Sequence, residues 1–132
     1  MKLPKGWKMG RLGDLVEIQE GLVSPVEPSY RDQPHVGADN ILSGGGLVGQ
    51  LKTPSELGLT SGKYPFRSGA IIYSKIRPYL NKVCRVDFDG VCSADAYPIY
   101  AKDSLVSTDF LVWSMRATGF LRQAIATSMR TG

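Results

Sequence analysis

Ser68-Gly69-Ala70-Ile71-Ile72-Tyr73-Ser74-Lys75-Ile76-Arg77-Pro78 is the stretch that decides how the chain folds. Ser68-Gly69 is a turn, an apolar run with two β-branched isoleucines follows, and Pro78 closes it because its nitrogen cannot donate to a strand ladder. Ala70–Ile76 therefore reads as a strand, and its unbroken Ala-Ile-Ile-Tyr portion as one buried on both faces. An extended Tyr73–Arg77 puts Tyr73, Lys75 and Arg77 on one face, with Ser74 and Ile76 on the other. Pro78 then turns the chain and displays Tyr79, Asn81 and Lys82.

Downstream, Lys82–Phe88 and Val91–Ala94 flank Asp89-Gly90. That dipeptide favours a two-residue type I′ hairpin, whose central positions both need positive φ. In such a hairpin Phe88 faces Val91 and Cys84 pairs with Asp95. Cys84 and Cys92 then point to opposite sheet faces, so both read as buried, reduced thiols rather than a disulfide. Tyr97–Ala101 adds a last strand to this meander. The period then changes. Ser107 is an N-cap, Asp109 suits the positive end of a helix dipole, and Phe110, Leu111, Trp113 and Ser114 form an apolar stripe to about Ala117. Gly119 breaks the pattern, and Phe120–Met129 makes a second helix with Leu121, Ile125 and Met129 on one side.

Upstream, Leu12–Gln19 alternates as a short strand, and Glu20–Pro34, with three prolines, is an irregular loop. Pro34–Ile41 carries a further strand with Val36 and Ile41 facing inward. The Gly- and Ser-rich Leu42–Gly62 is an exposed loop. The expected fold class is α+β: mixed and strand-rich, with a β-meander and two C-terminal helices.

The chain has 132 residues, 42% hydrophobic and 21% charged, the balance of one globular domain spanning 1–132. No apolar run approaches the ~20 residues of a membrane helix. Met1–Trp7 has no apolar core of a secretory leader, and two cysteines make neither a disulfide framework nor a four-ligand zinc site. A small cytoplasmic domain is expected. Its net charge of +4 is unevenly placed: residues 1–66 balance, with seven basic and seven acidic groups, while 67–132 hold nine basic against five acidic. Leu57–Val86 contains no acid at all yet carries Lys63, Arg67, Lys75, Arg77, Lys82 and Arg85. Such a block is the footprint of a surface that meets a polyanion, although a merely solvated basic face has the same composition.

Motifs of catalysis are wanting. Gly44-Gly45-Gly46-Leu47-Val48-Gly49 looks like a phosphate cradle, but Gln50 and Leu51 stand where a P-loop needs Lys and then Ser or Thr. His35 is the single histidine, which leaves little for a nucleophilic triad. Asp87 and Asp89 share a face beside a turn, yet calcium needs six to eight oxygens. No Asn or Asp precedes a Pro-Pro-aromatic run of the kind used for adenine methylation. No catalytic residue, metal site or cofactor is expected. What remains suits nucleic acid: Lys and Ser donate to phosphates, Arg binds guanine O6 and N7, and Asn binds adenine N6 and N7. The candidate DNA-binding set is Gln50, Lys52, Lys63, Tyr64, Arg67, Ser74, Lys75, Arg77, Tyr79, Asn81, Lys82 and Arg85. Within it Lys63, Lys75, Lys82 and Arg85 are expected on phosphates, and Arg77, Asn81 and Gln50 on bases.

Leu3-Pro4-Lys5-Gly6-Trp7, Leu12-Gly13-Asp14, the run Ser68–Lys82, and Gly90-Val91-Cys92-Ser93-Ala94-Asp95-Ala96-Tyr97-Pro98 come in the order seen in one known family. The chain resembles a target recognition domain of the specificity subunits of type I restriction–modification systems. The resemblance implies a non-catalytic reader of double-stranded DNA, covering one half of a split site. It implies methyltransferase partners that bind S-adenosylmethionine, and a motor and nuclease subunit that uses ATP. It also implies a longer subunit, continuing past Gly132 into a spacer helix and a second domain. Because the Ser68–Lys82 run is shared by domains with different targets, specificity is expected in Asp39–Tyr64. Two other readings stay open from the residues alone. Tyr64, Phe66, Tyr73 and Tyr79 interleaved with cations suit a single-strand binder that stacks bases on rings, and Asp87 or Asp95 could serve a small nuclease.

Overall fold

The computed structural model of the chain describes residues 16–43, 45–47, 49–75, 82–102 and 107–117, with side chains described as far as 113. Within them a four-stranded antiparallel sheet has the order β1 (Val16–Ile18), β7 (Ala96–Ala101), β4 (Ile71–Ser74), β5 (Val83–Arg85). A second sheet places β6 (Gly90–Cys92) between β2 (His35–Val36), parallel to it, and β3 (Tyr64–Phe66), antiparallel to it. Two helices complete the described part, α1 (Pro54–Leu57) and α2 (Thr108–Ala117).

The architecture follows from β4. All of its residues are buried, and its side chains alternate between two cores. Ile71 and Tyr73 join Val16, Val83 and Ile99 beneath Leu111 and Val112 of α2. Ile72, with Ala70, turns the other way and meets Cys84, Tyr100, Val36, Phe66 and Cys92, which fill the space between the sheets. The layers are thus helix, sheet, sheet. Ile71, Ile72 and Ile99 are fully buried, and each such side chain contributes roughly 1.5–3 kcal/mol on leaving water.

Local capping agrees with the sequence at α2. Ser107 Oγ accepts from the Phe110 N–H at 3.0 Å, with Asp109 in the first turn. The expected apolar stripe is rotated, however: Leu111 and Val112 are buried while Trp113 is 56% exposed and leans on Phe110. The second helix expected over Phe120–Met129 lies outside the described residues. Val36 and Ile41 do face inward, though the strand ends at Val36 and a 3-10 turn follows.

Leu42–Gly62 is not all loop. Thr53 Oγ1 accepts from the Glu56 N–H while Glu56 Oε1 accepts from the Thr53 N–H. With Pro54 in the first turn and Gly58 in the left-handed region, this capping box sets α1.

The Asp89-Gly90 hairpin does not form. β5 pairs with β4, with Ile72 opposite Cys84, whereas β6 pairs with β2 and β3 in the other sheet. Residues 86–89 therefore carry the chain between sheets and break the expected meander. Gly90 is needed for a different reason, close approach. A Cβ there would lie 2.5 Å from the Pro34 carbonyl oxygen and 2.7 Å from Phe66 Cζ. Asp89 instead accepts the Ser68 N–H at 2.8 Å, pinning the turn that enters β4. The cysteines change places accordingly. Cys84 and Cys92 do not sit on opposite faces of one sheet but share the core between the two sheets. Both are buried thiols outside any disulfide, and burial, with Cys84 beside it, pushes the Cys92 thiol up to about 12. At neutral pH it stays protonated and poorly nucleophilic.

The 20–34 segment is tied to the chain beside β3 by the Val23–Lys63 bridge, and its Pro25 is fully buried. His35 is also buried, and its Nε2 has no hydrogen-bond partner among the described residues.

Replacing Gly90 by Ala is expected to destabilise the fold by roughly 1–3 kcal/mol, read as a lower urea midpoint with unchanged slope; an unaltered midpoint would contradict the close packing. A second expectation concerns pH. Burial, then Lys63, lowers the His35 pKa from 6.5 to about 4. The unfolded chain takes up this proton near its ordinary pKa and the native fold resists it, so stability is full above pH 6.5 and declines as pH falls toward 4. In His35→Gln, urea midpoints measured across that window should lose this part of the slope.

Candidate nucleic-acid interface

The fold sorts the acid-free basic block into unlike surroundings. Lys63 turns inward; it is 7% exposed, and its ammonium donates to Ser61 Oγ at 2.9 Å. Lys82 is half-buried and donates to the Ala38 carbonyl at 3.1 Å. Arg85 points to the α2 side, where Asp87 and Asp109 lie 3.5 and 3.3 Å away. These exposed pairs are worth about 0–1 kcal/mol each, but they offset the positive field of Arg85. Ser74 is 1% exposed. Arg77, Tyr79 and Asn81 lie outside the described residues.

Lys75 and Arg67 are exposed at opposite ends of β4, each held against a tyrosine of β7. The Lys75 ammonium sits 4.3 Å from the Tyr97 ring centroid, and its backbone N–H bonds to the Asp95 carbonyl at 2.8 Å. The Arg67 guanidinium lies 3.8 Å over the Tyr100 ring, and its backbone N–H donates to the Tyr100 hydroxyl at 3.1 Å. Cation–π contact orders a long side chain while leaving its charge in water. Gln50 and Lys52 are also exposed, flanking Leu51, which packs against the inter-sheet core. The Lys52 carbonyl accepts the His35 N–H at 2.9 Å, tying this segment to β2.

Gln50, Lys52, Arg67 and Lys75 are therefore presented to solvent, and the burial of Lys63 and Ser74 follows from their strands' inward register. Sequence reasoning missed Tyr97 and Tyr100 as ledges beneath the exposed cations, since nothing local distinguishes a supporting tyrosine from a core one. The rings invoked for base stacking are mostly enclosed: Phe66 and Tyr73 are each 5% exposed, and Tyr64 packs on the inter-sheet core. Asp87 is engaged by Arg85, and Asp95 lies with Ser93. Among the described residues no three His, Cys, Asp or Glu converge on a common point.

Over 129 residues, 98% of its length, the chain is 40% identical to the specificity subunit of the type I restriction enzyme EcoDI of Escherichia coli. It is homologous to a target recognition domain of type I specificity subunits. The backbone agrees. The crystal structure of the HsdS subunit from Thermoanaerobacter tengcongensis matches 85% of the chain with a TM-score of 0.68 and 27% identity. A chain from a structural study of complex assembly and conformational transition in the type I R-M system matches all of it, with a TM-score of 0.75 and 26% identity. The chain spans 28% of the EcoDI subunit and 30% and 35% of those two chains. No family model matches it. Among the described residues, no helix of this target recognition domain homologue is long and apolar enough to cross a membrane.

Proposed function

We propose that residues 1–132 form one target recognition domain that reads one half of a bipartite site in double-stranded DNA, as the specificity component of a type I restriction–modification system. The observation that carries this reading is the near-complete match, along 98% of the chain, to a type I specificity subunit. In this reading the chain has no catalytic residue and no cofactor of its own. It directs methyltransferase subunits, which modify the DNA, and a motor and nuclease subunit, which cleaves it, in the cytoplasm. Lys52, Lys75 and Lys82 meet phosphates, while Arg77, Asn81 and Gln50 remain candidates for base reading, with Tyr79 beside them in the sequence.

Burial of Phe66 and Tyr73 favours duplex over single strand, because stacking requires an open ring face.

Methylation mapping in cells carrying the intact system tests the assignment. A split site whose one half changes when this domain is exchanged is expected; modification indifferent to the exchange would overturn it. Phosphate contacts have their own signature. Lys52→Ala or Lys75→Ala should weaken duplex binding alike for all sequences and reduce the slope of log K against log salt by about one unit. Arg85→Ala, already flanked by carboxylates, should leave that slope nearly unchanged, as read in binding isotherms at several salt concentrations.

A further inference from the structure

At the end of β4 away from Lys75 lies a cleft of about 230 Å³, walled by Gln19, Tyr30, Gln33, Arg67, Asp89 and Tyr100. Its volume falls short of the roughly 300–1,000 Å³ that encloses a small molecule. Its chemistry is that of an edge reader. The Arg67 guanidinium is stacked on Tyr100, and its backbone is fixed by the Tyr100 hydroxyl. The next residue, Ser68, is fixed by the Asp89 carboxylate. Among the described residues no carboxylate lies within ion-pair reach of Arg67, and its neighbour across the contact is an uncharged ring, so no acid takes up the charge and donors of the guanidinium.

We propose that this cleft is a base-reading site in the groove of the duplex. Arg67 holds the O6 and N7 acceptors of a guanine, and the Gln33 amide reads a neighbouring base edge. The match is chemical: a planar two-donor fork fits the guanine edge, and a side-chain amide fits adenine N6 and N7. The position is also rigid, because β3 and β7 supply the supporting residues and Gly90 lets Phe66 and Pro34 close up behind them. Neither Arg67 nor Gln33 falls within Asp39–Tyr64, where the sequence alone placed specificity. The inference rests on the DNA-recognition reading above and deepens it by assigning where bases are read.

The test is methylation mapping with the assembled system carrying Arg67→Lys or Gln33→Ala, beside Glu17→Ala at an exposed position of β1 outside the candidate set, with thermal unfolding to verify the fold of each variant. Lysine keeps the charge of Arg67 but not its fork. Each cleft variant should therefore relax discrimination at one base pair of the half-site, about ten-fold or more, while Glu17→Ala keeps the wild-type site. Discrimination unchanged in both cleft variants overturns the inference and leaves the proposed function standing. So does an equal loss on every sequence, which would make Arg67 a phosphate contact. A wild-type system with no half-site traceable to this domain overturns both.

Discussion

Strand β4 belongs to two cores at once, and the remaining structure is arranged around that fact. Because side chains alternate along an extended backbone, Ile71 and Tyr73 require a helix above while Ile72 requires a second sheet below. α2 answers the first with Leu111 and Val112, and β2, β6 and β3 answer the second with Val36, Cys92 and Phe66. The second sheet in turn needs one place where backbone can come very near backbone and ring. Gly90, facing Phe66 across the pair and Pro34 behind, provides it.

This same arrangement redistributes charge. Six cations spaced along an acid-free stretch look like one surface, yet the strands that carry them face several ways. Lys63 turns inward onto the Ser61 hydroxyl, Arg85 meets Asp109 from α2, and Lys82 finds a carbonyl. Arg67 and Lys75 stay outside, each braced by a tyrosine that the alternation of β7 sends to a different face: Tyr97 toward the helix, Tyr100 toward the second sheet. A reader of DNA gains from such bracing, since a side chain ordered before binding loses less entropy on contact.

The chain spans between about a quarter and about a third of the length of the subunits that it matches.

The amino-acid sequence by itself determined the buried strand Ile71–Ser74, the Ser107 cap of α2, the inward Val36 and Ile41 and the likeness to type I specificity subunits. Each depends on neighbours within a few residues or on an ordered set of blocks. The capping box Thr53-Pro54-Ser55-Glu56 was equally local and legible, but the surrounding glycines and serines masked it. Strand partnership was decided only by the tertiary structure. Asp89-Gly90 has every local property of a hairpin, yet β6 is buried on both sides as the middle of a second sheet, and that burial outweighs a turn preference of the order of 1 kcal/mol. The fate of each cation was settled there too, because whether a lysine meets water, a carboxylate or a serine depends on which distant segment packs against its strand.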